Sequence, residues 1–481
     1  VLGTAQQAVD AARRAGADYA DARLGSDETE GMTVKNQEME GVDRSTSRGL
    51  GVRVLVNGYW GFAATARTDD EEVERTAEQA VAIGRAAARL PMEPTRLAEV
   101  EPVRATWSTS VEEDPFEVPL AEKVALLMEA SARMQAVRGV AFAEASFDLL
   151  RRRTAFASSE GAAIEQTIVH CGGGIEATAI ADGEVQRRSF PNSFRGDIRA
   201  AGYEHVRRLD LVGQAERVAT QAVELLTAPE CPSTVTTLII DPTQVANQVH
   251  ESIGHPTELD RVLGMEEAYA GTSFLTIGDR GRLRYGSPLV TVFADATIPG
   301  GLGTFGFDDE GVPAQRVPII EDGIFEGFIS SRETAPVLGP GARSTGAMRA
   351  DGWRNLPLIR MTNINLEPRS GTLEEIVGDT KDGILMETNT SWSIDDKRVN
   401  FQFGCEIAWR IEDGVLGQMY RNPNYTGITT QFWGGCDAVG GPESWGLWGT
   451  PNCGKGQPGQ AAHVGHGAAP ARFRNVQVGV R

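Results

Sequence analysis

The sequence predicts an α+β protein in two parts: an N-terminal α/β domain of helices on antiparallel strands over residues 1–230, and a largely antiparallel, barrel-like β domain over residues 231–481. Three observations carry this. Apolar residues recur at helical spacing in several stretches of the first half, between runs of strand-like character. From Tyr285 onward, short apolar or alternating runs are cut by Gly, Pro and Asp-Gly turns. Pro229 and Pro232 separate the two patterns and mark the boundary. At 481 residues the chain can bury more than one core.

In order, Ala5, Ala8, Val9 and Ala12 sit at helical spacing before Gly16 stops the helix. Gly49 to Thr65 reads as two strands around Asn57-Gly58, a strong hairpin signal. Thr68 and Glu71 form a candidate capping box for the helix carrying Val73, Ala77, Ala80, Val81 and Gly84. A long helix follows Pro119, with Leu120, Val124, Leu127 and Met134 on one stripe. Val140 to Ala157 and Ala163 to Ala181 read as strands of a meander, and Val218, Ala222 and Leu225 mark another helix. The second part opens with a strand, Thr234 to Ile240. Asp241-Pro242 follows as cap and first helical residue, with Val245 and Val249 facing inward. Beyond Tyr285 only Thr372 to Gly378 looks helical. The Gly-rich tracts at 300–306, 434–449 and 454–467 lack a P-loop ending or a dinucleotide fingerprint and read as loops around a site.

The stretch His250-Glu251-Ser252-Ile253-Gly254-His255-Pro256 concentrates the chemistry. Two imidazoles beside a carboxylate can hold a zinc ion and activate its bound water. In HExxH the histidines are four apart and lie within roughly 40° of each other on a helix. Five apart, they diverge by about 140°, so both reach one metal only if the backbone leaves α geometry or carries a π-type turn. Gly254 and Pro256 are expected to supply that departure, glycine by relaxing the backbone and proline by disfavouring helical dihedrals at His255. The bland alternative is a surface helix with two chance histidines, since HExxxH is weak evidence without a third ligand.

Cys453, in Asn452-Cys453-Gly454-Lys455-Gly456, is the candidate third ligand; a thiolate completes a His2Cys set and leaves a fourth position for water. The Lys455 charge would favour the thiolate. A buried, unreactive cysteine is the competing reading. His463 and His466 are rival ligands in an Ala/Gly-rich stretch that reads as a loop. Glu258 and Asp260 are candidate acceptors for an imidazole N–H, against a reading as solvated helix-end acids. Trp353 and Arg360 could line a substrate channel, although such residues in β domains are more often structural.

Lys plus Arg is 46 and Asp plus Glu 66, a formal charge of −20 that disfavours nucleic acid and anionic membranes as partners. The excess could recruit basic or unfolded peptides, but a generic solubilising surface explains it as well. No apolar run approaches a membrane helix and no basic-then-apolar leader opens the chain, so the cytoplasm is the expected compartment. Val1 is not an initiator methionine, which leaves room for residues ahead of it. Cys171, Cys231, Cys405, Cys436 and Cys453 are too few and scattered for a disulfide framework.

Four blocks in order carry a resemblance over almost the whole chain: Ser47 to Ala63, His250 to Asp260, Pro357 to Asn363, and Cys453-Gly454-Lys455-Gly456-Gln457. The chain resembles the TldD/PmbA family of metallopeptidases, and specifically its catalytic TldD branch. The resemblance implies that His250, His255 and Cys453 are zinc ligands and Glu251 the catalytic base. The sister branch lacks these residues. It also implies a heteromer with a PmbA-like, non-catalytic sister subunit that encloses the site, and unfolded or extended peptides as substrates. A homodimer is the alternative assembly.

The chemistry expected of such a site is hydrolysis, with Glu251 taking a proton from the attacking water and passing it to the leaving amine. A zinc metallopeptidase is the leading function. One alternative is a metallohydrolase of an amide-type bond in natural-product biosynthesis. The other is a non-catalytic scaffold subunit with a structural metal, which the open ligand set and Glu251 argue against.

Overall fold

The computed structural model describes residues 1–193, 195–456 and 458–480. Long antiparallel ribbons organise the N-terminal region. Tyr19–Lys35 pairs with both Glu38–Val56 and Val140–Ser158, and Val140–Ser158 pairs in turn with Ala163–Ala181. Tyr59–Thr65 closes one edge through a hairpin whose Asn57 and Gly58 take φ of 52° and 84°, a pair of left-handed residues suited to Asn-Gly. At the other side, Arg104–Ser108 runs parallel to Ala163–Ala181, which also pairs with Glu184–Phe190 and Asp197–Arg199.

Four longer helices cover this sheet because each presents one small-residue or apolar stripe. Leu2–Arg14 buries Ala5, Ala8, Val9 and Ala12. With Asp70–Ala87 it forms one core against Leu24, Val52 and Val54. Leu120–Gln135 and Leu211–Leu225 form a second core with Phe147, Ile175 and Ala177. Two sequence expectations shift. Asp69, not Thr68, caps its helix, its carboxylate accepting from the Glu72 N–H, and Leu120 lies outside its helix's buried stripe. Tyr19–Lys35 had no clear strand signature, because its glycines and acids obscure the alternation.

Five strands close a barrel in the C-terminal region: Thr234–Ile240, Ala471–Val478, Asn424–Ile428, Asn400–Glu412 and Asp382–Ile394. Only the pairing of Thr234–Ile240 with Asp382–Ile394 is parallel, so the barrel is mixed. The helix Pro242–Val249 starts where the first barrel strand ends; the Asp241 carboxylate accepts from Thr243 N and Gln244 N. Val245 and Val249 enter a core with Phe401, Phe403, Tyr425 and Trp433. A four-stranded sheet built on Arg316–Glu321 and Val292–Asp295 flanks the barrel.

Two local expectations are corrected here. Thr429–Gly434 is helical in addition to Leu373–Gly378; at six residues it is too short to show a period, and Phe432 and Trp433 anchor it. The Gly-rich end is no loop: Gly446–Lys455 and Gln460–Ala468 form an antiparallel hairpin. Its glycines mark close approach, since a Cβ on Gly467 would lie 2.0 Å from the Trp445 ring. Among the described residues no helix is long and apolar enough to cross a membrane.

Candidate metal centre

The five-residue histidine spacing is resolved by the backbone. The α-helix ends at Val249, His250–Gly254 form a π turn, and His255–Thr257 a 3-10 turn. The wider turn returns the second imidazole toward the first. The ring centroids lie 4.8 Å apart with planes at 89°. Proline does not act as expected: His255 keeps helical dihedrals, φ −60° and ψ −45°, ahead of Pro256. Nor is Gly254 a relaxed joint. Its φ is −59°, and a Cβ there would stand 2.2 Å from the Met361 sulfur, so the position is glycine for close packing.

One donor atom each from His250, His255 and Cys453 lie within 4.8 Å of one another, all three residues buried. Zinc bond lengths in a tetrahedral set put donors about 3.5 Å apart, so small side-chain adjustments fit this group to one ion. Hydrogen bonds to nitrogen or oxygen engage Nδ1 on both imidazoles. His250 Nδ1 meets His466 Nε2 at 2.8 Å, and His466 Nδ1 faces the Ile364 carbonyl at 3.3 Å. His255 Nδ1 meets Glu258 Oε2 at 2.9 Å. Both Nε2 atoms therefore remain for a metal, with His255 Nε2 4.0 Å from Cys453 Sγ.

The electrostatics suit this donor set. Burial pushes both imidazoles below the usual histidine range, against the pull of Glu251 and Glu258 on His250 and of Glu258 on His255, which favours the neutral, ligating form. Burial pushes the Cys453 thiol up, but Arg360 and His255 outweigh it and hold the thiol below its ordinary value. Lys455, expected to serve Cys453, is engaged elsewhere: Nζ donates to Asp260 Oδ1 at 2.8 Å and lies 3.3 Å from Glu258 Oε1. Burial raises the Glu258 carboxyl, yet Lys455, His255 and Arg261 together hold it well below the carboxylate range.

Of the two acids beyond His255, Glu258 accepts from the ring and Asp260 does not; Asp260 orients Lys455. His466 supports His250. His463 points to the opposite side of its strand, where its Nδ1 lies 2.8 Å from His170 Nδ1. Arg360 donates to the carbonyls of Cys453 and Gln460, clamping the two hairpin strands. Trp353 packs on the N-terminal sheet, its Nε1 donating to Ser47 Oγ at 2.9 Å.

Glu251 faces an open pocket of about 370 Å³ shared with His250, His255, Cys453, Asn452 and Arg398. Arg398 Nη1 donates to Glu251 Oε2 at 2.8 Å. Nothing in the sequence pattern near Arg398 signalled this contact. A larger groove of about 910 Å³ runs beside the N-terminal ribbons and is also lined by Asn452.

Comparison with known proteins gives the family of the chain that carries this cluster. The sequence matches the PmbA/TldA metallopeptidase C-terminal domain over residues 233–479, domain 1 over 20–84 and the central domain over 113–226. The chain belongs to the PmbA/TldD metallopeptidase family. It is 29% identical to a metalloprotease of Methanocaldococcus jannaschii over 423 residues, covering 88% of this chain and 89% of that protein. A metalloprotease of Synechocystis is 30% identical over 471 residues, 96% and 95% of the two chains. A protein of Saccharolobus solfataricus named a zinc metalloprotease TldD homolog is 28% identical over 197 residues, covering 40% of this chain and 41% of that protein. The fold is shared with a Thermotoga maritima protein titled a putative modulator of a DNA gyrase, TM-score 0.77 at 16% identity, covering 99% of each chain. It is shared too with TldE from Thermococcus kodakarensis, TM-score 0.72 at 17% identity, again 99% of each.

Proposed function

We propose that this chain is a zinc-dependent peptidase acting on unfolded or extended peptides. The observation that carries the reading is the buried His250, His255 and Cys453 group with Nδ1 of both imidazoles engaged elsewhere, opening on a pocket that also holds Glu251. His250, His255 and Cys453 would hold one zinc ion, which when bound supplies a Lewis acid for a water and a carbonyl. Glu251 accepts the proton of the attacking water and returns it to the leaving amine. Glu258 and His466 fix the tautomers of the two imidazoles. Three protein donors and an adjacent base favour a catalytic over a structural metal.

The proposal extends to assembly and place: a cytoplasmic heteromer with a PmbA-like sister chain that restricts the site to extended polypeptide. An extended substrate can add to a sheet edge through backbone hydrogen bonds with little side-chain preference. The likeness to a TldE fold makes such a partner reasonable. The test is metal analysis of the purified protein, with and without the co-expressed sister chain, combined with a peptide-library digest read by mass spectrometry. Zinc-dependent cleavage of unfolded peptides is expected. Full activity from a lone homodimer or monomer, unchanged on adding the sister chain, would remove the heteromer; no cleavage in either preparation would remove the peptidase reading.

A further inference from the structure

We propose that Arg398 is a further catalytic residue, a fixed cation that donates to the scissile carbonyl oxygen as negative charge builds there; the inference rests on the peptidase reading above. Arg398 sits at the tip connecting Asp382–Ile394 to Asn400–Glu412 and lines the same pocket as His250, His255 and Cys453.

The tip is built to hold this side chain still. Arg398 N donates to the Asp395 carbonyl at 2.8 Å, and the Asp395 carboxylate accepts from Val399 N at 2.8 Å and Asn400 N at 2.9 Å. The loop ahead of it docks the tip from the side: Thr272 N donates to Asp396 O and Phe274 N to Lys397 O, each at 2.8 Å. Arg398 itself takes φ of 65°, a left-handed conformation that is unfavourable for a non-glycine residue and persists only where its surroundings enforce it.

A counter-ion for Glu251 would require only one of its five donors. Nη1 binds Glu251 Oε2 at 2.8 Å and Nη2 reaches the Ala270 carbonyl at 3.4 Å. Nη1 and Nη2 each carry a second N–H beyond these bonds, so donor capacity remains beside the base. In the step this allows, a water lone pair forms the C–O bond while the carbonyl π pair moves onto the oxygen, where an Arg398 N–H receives it. The water's proton goes to Glu251. The pair on that oxygen then re-forms the C=O bond as the C–N bond breaks with its pair on nitrogen, which takes that proton, so one water and one amide give one acid and one amine. A donor held in place beforehand stabilises this charge without reorganising.

The test compares wild type, Arg398→Met and Arg398→Lys as zinc-loaded protein. It measures metal content, kcat and KM on an unfolded peptide, and affinity for a phosphonate peptide that mimics the tetrahedral state. Affinity for the uncleaved peptide is measured in a Glu251→Gln background. Expected for Arg398→Met is retained zinc, KM within about threefold, kcat down by roughly 10²–10³, and phosphonate affinity falling with kcat while peptide affinity holds. Arg398→Lys should recover about tenfold of the loss. A kcat within about threefold of wild type would overturn the proposal, as would equal losses of phosphonate and peptide affinity. If Arg398→Met sheds zinc, Arg398→Ala with added guanidinium decides: rescue of kcat supports the role, and no rescue of the zinc-loaded protein overturns it. A wild-type protein that cleaves nothing would sink the peptidase reading and this inference with it.

Discussion

Replacing Lys455 by methionine would remove the charge that binds the hairpin carrying Cys453 to the segment after His255. Its side chain is fully buried, as is that of Glu258, and Nζ contacts Asp260 Oδ1 at 2.8 Å, the Ile359 carbonyl at 2.7 Å and Glu258 Oε1 at 3.3 Å. Arg261 Nε lies 3.4 Å from Glu258, so the cluster balances two carboxylates with two cations. Methionine preserves the volume but leaves one buried negative charge without a partner. Removing one member of a buried ion pair costs about 3–5 kcal/mol. At roughly 2–4 °C per kcal/mol for a domain of this size, the melting midpoint should drop on the order of 10 °C. The assay is thermal unfolding of chelator-treated protein, so that bound metal does not mask the change. Asp260→Asn combined with Lys455→Met should regain part of the loss, because it withdraws the excess charge. A Lys455→Met midpoint within about 2 °C of wild type would refute the reasoning, as would a double variant carrying the full sum of both single losses.

Single replacement of His250, His255 or Cys453 should remove most bound metal, and a Cys453→Ser protein with stoichiometric zinc would defeat the ligand assignment. Glu251→Gln should keep metal and fold while hydrolysis drops by about 10²–10⁴; near-normal turnover excludes Glu251 as the base. Gly254→Ala puts a Cβ 2.2 Å from Met361 Sδ and should cost about 1–3 kcal/mol in urea unfolding, largely relieved by adding Met361→Ala; an undisturbed midpoint would disprove the packing argument. Burial pushes the Glu387 carboxyl up to about 7, with Arg188 pulling it down and Asp241 pushing it up. The folded state therefore binds the extra proton between an unfolded value of about 4.3 and about 7, and stability falls as pH rises through that window, by no more than about 4 kcal/mol. Glu387→Gln should flatten this slope, and an unchanged slope in urea midpoints across the window would rule Glu387 out as its source.

Much of the fold was legible because periodicity and turn chemistry agree with tertiary packing in the strongly patterned segments. The strand Thr234–Ile240, the Asp241-Pro242 start and the Asn57-Gly58 hairpin all state local preferences that the core rewards. The π turn was legible for a different reason: two imidazoles five residues apart cannot share a metal on an ideal helix, so the chemistry dictates the backbone. What stayed hidden depends on contacts distant in sequence. Arg398 reaches Glu251 across 147 residues, and His466 reaches His250 across 216. Glycines misled as well. At Gly254 and Gly467 they mark the approach of Met361 and Trp445, which no local pattern records.

The same logic explains why a glycine-bearing segment near the start accompanies a candidate metal site near the end. Side chains on Gly49 and Gly51 would collide with Trp353, their Cβ atoms falling 2.6 Å from its ring and 2.2 Å from its carbonyl. The bare backbone is a seat for that residue, fastened by Trp353 Nε1 to Ser47 Oγ and by Arg23 to the Asn355 carbonyl. From the seated segment, the chain returns through Arg360, whose guanidinium bonds the carbonyls of Cys453 and Gln460. Arg349 adds a bond to the His463 carbonyl at 2.7 Å. The third candidate ligand is thus positioned through a chain of contacts that begins on the N-terminal sheet. Filling the seat, as in Gly51→Val, should loosen Cys453 before it unfolds the barrel, so zinc affinity should fall at temperatures where the C-terminal core remains intact. Loss of affinity only on global unfolding would show that the sheet and the metal site are mechanically independent.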